Sequence, residues 1–219
     1  MIRLFVANTD NDWFDYLSSL PNLREANLWQ PAGTAFHAVQ PGELVVFRLK
    51  RPRNRIGGFG VLSGSSVLPL QVAWDSFGRA NGAESYAAFR DAVARSRPGG
   101  MVGPATPVGC RLLSDPVFLP PDLWIDLPPT WSSRWREKVL ATSMPAGLQL
   151  WRQLVEMTLR MPDGAGGMHE AAVRYAASPM LPAPDLKTLR LVGAEAGRQR
   201  GTAAQPHGGR SPLPGGSAG

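Results

Sequence analysis

Cysteine is almost missing from this chain. Cys110 is the only one in 219 residues, which excludes an internal disulfide framework and a zinc site built on several thiolates. No apolar run reaches the roughly eighteen residues that a membrane-spanning helix needs. Histidine is scarce too: His37, His169 and His207 lie far apart, and none has a partner at metal-ligand spacing. There is no P-loop, no G-x-S-x-G elbow and no H-E-x-x-H. Gly58-Phe59-Gly60 does not open a helix and has no acidic residue about twenty positions on, so a dinucleotide-binding turn is excluded. The carboxylate pairs Asp10/Asp12 and Asp122/Asp126 have nothing that separates them from cap and loop acids. The sequence therefore offers no catalytic constellation, no metal site and no cofactor site. Met1 to Asn8 is too short and turns polar too soon to be a secretory leader. A cytoplasmic protein without a membrane partner is the expectation.

What is present is a core. Hydrophobic residues make up 43% of the chain, with seven Trp and eight Phe, enough for one sizeable domain. The formal charge is +6, but its distribution matters more than its sum. Residues 1–185 carry 18 basic against 16 acidic residues, whereas residues 186–219 carry five basic residues against Glu195 alone. The excess positive charge thus lies mostly in the tail, and by itself says little about what the body binds.

Periodicity gives the elements. Ile2–Ala7 reads as a first strand, and Asp10 and Asp12 as caps of a helix carrying Trp13, Tyr16, Leu17 and Leu20. Asn22–Ala26 is a connector, and residues 34–39 are a strand or a short turn. Pro41-Gly42 turns the chain into Glu43–Leu49, whose run Leu44-Val45-Val46-Phe47 predicts burial on both faces. Lys50 to Arg55 is a basic hairpin tip. Gly57, Gly58 and Gly60 interrupt the returning strand Ile56–Leu62, which predicts a bulge or a close backbone approach. A helix-like segment ends at Phe77, a helix carries Tyr86, Phe89 and Val93, a strand spans Val108–Leu113, and a helix spans Leu148–Met161. Trp131 and Trp135 read as a peripheral loop. After Pro162 periodicity fades. The Gly-, Ala-, Arg- and Pro-rich segment from residue 186 has too little apolar surface to offset its ordering entropy, which predicts disorder.

One series of short motifs runs through the first half: Thr9-Asp10-Asn11-Asp12-Trp13-Phe14, Asn27-Leu28-Trp29-Gln30-Pro31-Ala32-Gly33, Pro41-Gly42-Glu43-Leu44-Val45-Val46-Phe47-Arg48-Leu49, Pro52-Arg53-Asn54, Gly57-Gly58-Phe59, Ala73-Trp74-Asp75-Ser76-Phe77-Gly78 and Asn81-Gly82. In this order it resembles the N-terminal half of bacterial HNH endonucleases of the modification-dependent restriction type. That half is similar to SRA domains, within the PUA/EVE/ASCH-like barrel group. The resemblance covers roughly residues 1–160. It implies an α+β fold around a curved, partly closed β-barrel (PUA/SRA-like) with flanking helices; beyond it, composition and periodicity give a linker with a short helix at 161–185 and a disordered basic tail at 186–219.

The resemblance also implies a partner and a site. SRA-like domains bind double-stranded DNA and flip a modified, typically methylated, cytosine into a pocket, with stacking and edge hydrogen bonds compensating for the lost pairing. In this chain Trp29, Gln30, Phe36, Phe59, Trp74 and Asp75 are the candidate base pocket, with Asn8 as a further edge reader. Arg48, Lys50, Arg51, Arg53 and Arg55 are the candidate phosphate contacts. Trp29 and Trp74 admit a second reading, as barrel core. The family's nuclease part needs a His-Asn-His metal site, which this sequence lacks, so the chain is not expected to be catalytic alone. The expectation is that the tail stands, truncated or out of frame, where that nuclease would begin. Two other functions stay open: a PUA/ASCH-like RNA or nucleotide binder, and an interaction protein using the tail. Oligomeric state is open as well.

Overall fold

The computed structural model describes residues 1–128, 131 and 137–161. The segments expected to form a short linker helix and a disordered basic tail, with His169, His207 and Trp135, lie outside the described residues. Seven strands form one sheet: β1 (Arg3–Thr9), β2 (Glu25–Asn27), β3 (Leu44–Leu49), β4 (Arg55–Pro69), β5 (Pro107–Phe118), β6 (Ile125–Asp126) and β7 (Glu137–Ala141). The order is β2-β5-β4-β3-β1-β7, with β6 paired to the start of β4. Only β1 and β3 run parallel. Four helices complete the fold: α1 (Asn11–Ser18), α2 (Leu70–Phe77), α3 (Tyr86–Arg95) and α4 (Pro145–Leu159).

The mixed α+β class agrees with the expectation, but the barrel is an open sheet: among the described residues no pairing joins β2 to β7. The sheet's irregularity is concentrated in β4. This 15-residue strand pairs with β3 along its first half and with β5 along nearly all its length, and its register with β5 slips at Phe59/Val61 and at Leu62/Gly64. Such bulges bend a strand and increase its twist, here without bringing the sheet's edges together. The glycine interruptions fall within this irregular stretch.

Alternation in the central strands sorts side chains onto two covered faces. Leu4, Val6, Leu44 and Val46 enter a core with Leu150 and Leu154 of α4. Phe5, Ala7, Val45, Phe47 and Leu49 enter a second core with Trp13, Phe14 and Leu17 of α1. Every residue of β3 is buried, which explains its unbroken apolar run. A third cluster packs Leu70, Ala73, Phe89 and Val93 of α2 and α3 against Val108 and Cys110.

The helix starts follow from local chemistry. Asp10 caps α1 by accepting from the Asp12 N–H at 3.1 Å, and Ser85 caps α3 by accepting from the Ala88 N–H at 3.2 Å. Pro145 begins α4, where its missing N–H leaves no partner wanting. β2 and β7 have no legible strand pattern, and residues 34–39 form no regular element, although Phe36 and Val39 pack on the second core.

Cys110 is 2% exposed. Burial pushes its thiol pKa up, against a smaller lowering by the Asn27 side chain. The native chain at neutral pH is therefore expected to leave a thiol-reactive dye untouched over a time in which the urea-unfolded chain reacts fully. Rapid native labelling would contradict this burial.

Candidate functional site

A cleft of about 750 Å³ opens between the end of β1, the 28–32 loop, Lys50 just after β3, and the C-terminal end of α3. Arg111 of β5 also lines it. Four cationic side chains face this space, Lys50, Arg95, Arg97 and Arg111, against a single carboxylate, Asp10.

Each cation is placed differently. Lys50 Nζ donates to Asp10 Oδ2 at 2.8 Å, with both side chains about two-fifths exposed. Arg97 Nη1 donates to the carbonyls of Pro31, at 2.6 Å, and Pro107, at 3.0 Å, tying the end of α3 to the loop that forms the opposite lip. The Arg95 side chain is exposed and makes no hydrogen bond or ion pair among the described residues. Arg111 is only 4% exposed. Its guanidinium lies 4.3 Å from the Phe36 ring centroid and 5.2 Å from that of Phe5, and its Nη2 donates to Gln30 Oε1. Aromatic faces suit a weakly hydrated guanidinium in such a place.

Asp10 joins the fold to the cleft. Burial raises its pKa, but the hydrogen bond and charge of Lys50 and the N–H groups of Asp12 and Trp13 outweigh burial and hold it below the ordinary 3.8. The stabilisation this carboxylate contributes is therefore complete above the unfolded-state pKa and is lost as pH falls through the lower folded value. We expect the Asp10 carboxyl to titrate below 3.8 by carbon-detected NMR, and Lys50→Met to move that midpoint upward. An unchanged midpoint in the variant would mean that the pair does not form in solution.

The polar and aromatic groups complete the cleft. Trp13 and Trp29 line it, and both indole N–H groups are turned inward: Trp13 Nε1 donates to the Asn27 carbonyl at 3.1 Å and Trp29 Nε1 to the Asn81 carbonyl at 3.0 Å. With that donor engaged, what the half-buried Trp29 can offer the cleft is ring surface. Gln30 is also committed. Its backbone bridges Gly109 in both directions, at 2.7 and 2.9 Å, and its Nε2 donates to Thr34 Oγ1 at 3.0 Å. Asn8, exposed at the end of β1, keeps an amide with no hydrogen bond among the described residues.

The residues singled out from sequence are not all brought together. Trp29, Gln30, Asn8 and Lys50 line the cleft. Phe36 lies beneath it, under Arg111. Phe59 is 2% exposed in the core facing α4. Trp74 packs in the third cluster, stacked with Phe89 at 6.2 Å, and Asp75 is exposed on α2, accepting from Gln71 Nε2 at 2.9 Å. The remaining tip cations lie outside the cleft lining, and most have internal partners. Arg48 is 5% exposed and donates to Asn54 Oδ1 at 2.9 Å. Arg53 makes two hydrogen bonds to Asp15, at 2.6 and 2.7 Å. Arg55 pairs with Asp126 at 2.8 Å. Arg51 is exposed with no such partner among the described residues. Arg95, Arg97 and Arg111 were not among the residues read from sequence.

No family model matches the sequence, and no curated protein does either. Among solved structures, the chain is similar to the crystal structure of ASCH from Zymomonas mobilis, with 14% identity and a TM-score of 0.47 over 67% of this chain and 94% of that one. Two single-residue variants of the same protein give the same identity and TM-score, each over 69% of this chain. None of the helices among the described residues is long and apolar enough to cross a membrane, and no group of three potential metal ligands occurs among the described residues.

Proposed function

We propose that the cleft binds a nucleotide unit of single-stranded RNA, with phosphates on Lys50 and Arg95 and a base against the Trp29 ring. The observation that carries this reading is the composition of the cleft: four cations against one carboxylate, beside an indole whose N–H is already engaged. Phosphate-tracking cations next to a stacking aromatic are the usual means of holding a single strand. Asn8 supplies an unengaged donor and acceptor for a base edge.

The placement of the other residues supports RNA or a nucleotide over a flipped base in duplex DNA. A duplex reader needs exposed cations along a phosphate track. Arg53 and Arg55 of the tip are held by Asp15 and Asp126, as Lys50 is by Asp10, so ion pairing does not decide between the two. Phe59, Trp74 and Asp75 do not converge with Trp29 on one pocket.

A competition titration tests the proposal. Labelled single-stranded RNA is bound at low salt, then displaced with unlabelled RNA, a mononucleotide, plain duplex DNA and cytosine-methylated duplex DNA. RNA is expected to displace at the lowest concentration. Preferential displacement by the methylated duplex would replace this reading with base flipping, and no binding at low salt would end both.

A further inference from the structure

We propose that the buried pair Asn27–Asn81 is the positioning element of the cleft, setting the orientation of both indole rings; the consequence for affinity rests on the nucleic-acid reading above. Both asparagines are completely buried. Asn81 Nδ2 donates to the carbonyls of Ala73, in the middle of α2, at 3.1 Å, and of Gly78, just past its end, at 2.9 Å. That use of its donors turns Oδ1 toward Asn27, whose Nδ2 donates to it at 2.9 Å. Asn27 Oδ1 in turn accepts from the backbone N–H of Arg111 at 3.1 Å. One amide orientation therefore dictates the next, from α2 to β2 to β5.

The cleft hangs on the main chain of the same two residues. The Asn27 carbonyl accepts from Trp13 Nε1 and from the Trp29 backbone N–H, each at 3.1 Å. The Asn81 carbonyl accepts from Trp29 Nε1 at 3.0 Å. Gly82 passes directly over the Trp13 ring, where a Cβ would collide with it, and its φ of +78° also favours glycine. Trp13, Trp29 and Arg111 thus take their places from one buried network, and a fully satisfied network of this kind has one arrangement. Neither asparagine lines the cleft, so the pair acts through the tryptophans.

The test reads the indole N–H signals of Trp13 and Trp29 in nitrogen-edited NMR spectra of the full chain, together with affinity for a labelled RNA of about eight nucleotides. Asn27→Asp keeps the size and the acceptor to Arg111 but sets a carboxylate oxygen against Asn81 Oδ1. It is expected to move both indole signals and to weaken RNA binding about tenfold. Leu154→Ala, in the core on the other face of the sheet, is expected to lower Tm while leaving both signals and the affinity in place. Unmoved indole signals in Asn27→Asp, moved signals with unchanged affinity, or equal losses in the control would each overturn the proposal. Should Asn27→Asp fail to fold, Asn81→Ser and hydrogen exchange in the unsubstituted chain decide. The two indole protons should be protected to a similar degree, and fast exchange of either overturns the claim. If the unsubstituted chain binds no RNA, the nucleic-acid reading fails by itself, and the indole signals alone judge the positioning role.

Discussion

Lys50→Gln combined with Arg95→Glu is expected to weaken RNA binding about 100-fold while leaving the fold intact. A charge-assisted hydrogen bond contributes about 1.5–3 kcal/mol, so losing two phosphate contacts amounts to roughly 3 kcal/mol or more. Stability should change by less than about 1 kcal/mol, because Arg95 is exposed and the Lys50–Asp10 pair is solvent-accessible. The salt dependence sharpens the test. Each neutralised phosphate of a single strand contributes about −0.7 to the slope of log K against log salt, so the double variant should flatten that slope by about 1.4. Equivalent changes at Arg53 and Arg55, which lie outside the cleft lining, should leave the slope nearly unchanged. The same loss from the tip residues would move the site out of the cleft.

Gly58→Val should be the most damaging single change to the fold. A Cβ at Gly58 would overlap the Val117 carbonyl oxygen, which belongs to the backbone of β5 and cannot rotate away. Overpacking of this kind costs typically about 1–3 kcal/mol and more where backbone must shift. A loss near 3 kcal/mol corresponds to a fall in Tm of roughly 6–12 °C for a chain of this size. Gly64→Ala in the same strand is the control. Nothing lies within 4 Å of a Cβ there, so its effect should stay within about 0.5 kcal/mol. A mild Gly58→Val would mean that β4 and β5 are not in the observed register.

These glycines show what the sequence makes legible and why. A glycine inside an otherwise apolar strand signals backbone approach, and β4 meets β5 at such a point, beside a register slip. The Leu44–Phe47 run likewise reports a strand covered on both sides. β7 is illegible because Glu137–Ala141 is one short edge strand whose pairing with β1, 130 or more residues away in sequence, has no local signature. β2 is three residues long and is held by β5.

The site was partly legible for a related reason. Trp29-Gln30-Pro31 stands out because Gln30, directly before a proline and beside a tryptophan, is held extended, and this loop does form one lip of the cleft. The other lip, Arg95 to Pro98, reads only as a helix end. Arg111 carried a usable signal: a guanidinium within the apolar run Val108–Leu113 must find partners when the strand is buried, and it finds Gln30 and the rings of Phe5 and Phe36. The cations at the tip were the opposite case. They form a conspicuous run, yet Asp10, Asp15 and Asp126, distant in sequence, take three of them, Lys50 included. Charge in sequence counts residues, whereas a binding surface depends on where the fold places them.

The central claim is that single-stranded RNA lies in the cleft between the 28–32 loop and the end of α3. Photo-crosslinking measures that directly. A short RNA carrying 4-thiouridine is bound to the full chain, irradiated, and the attached residues are located by mass spectrometry. The account predicts crosslinks within residues 28–32 and 95–98, lost in the Lys50→Gln, Arg95→Glu double variant. Crosslinks confined to the 51–55 tip or to α2 around Trp74 would contradict it.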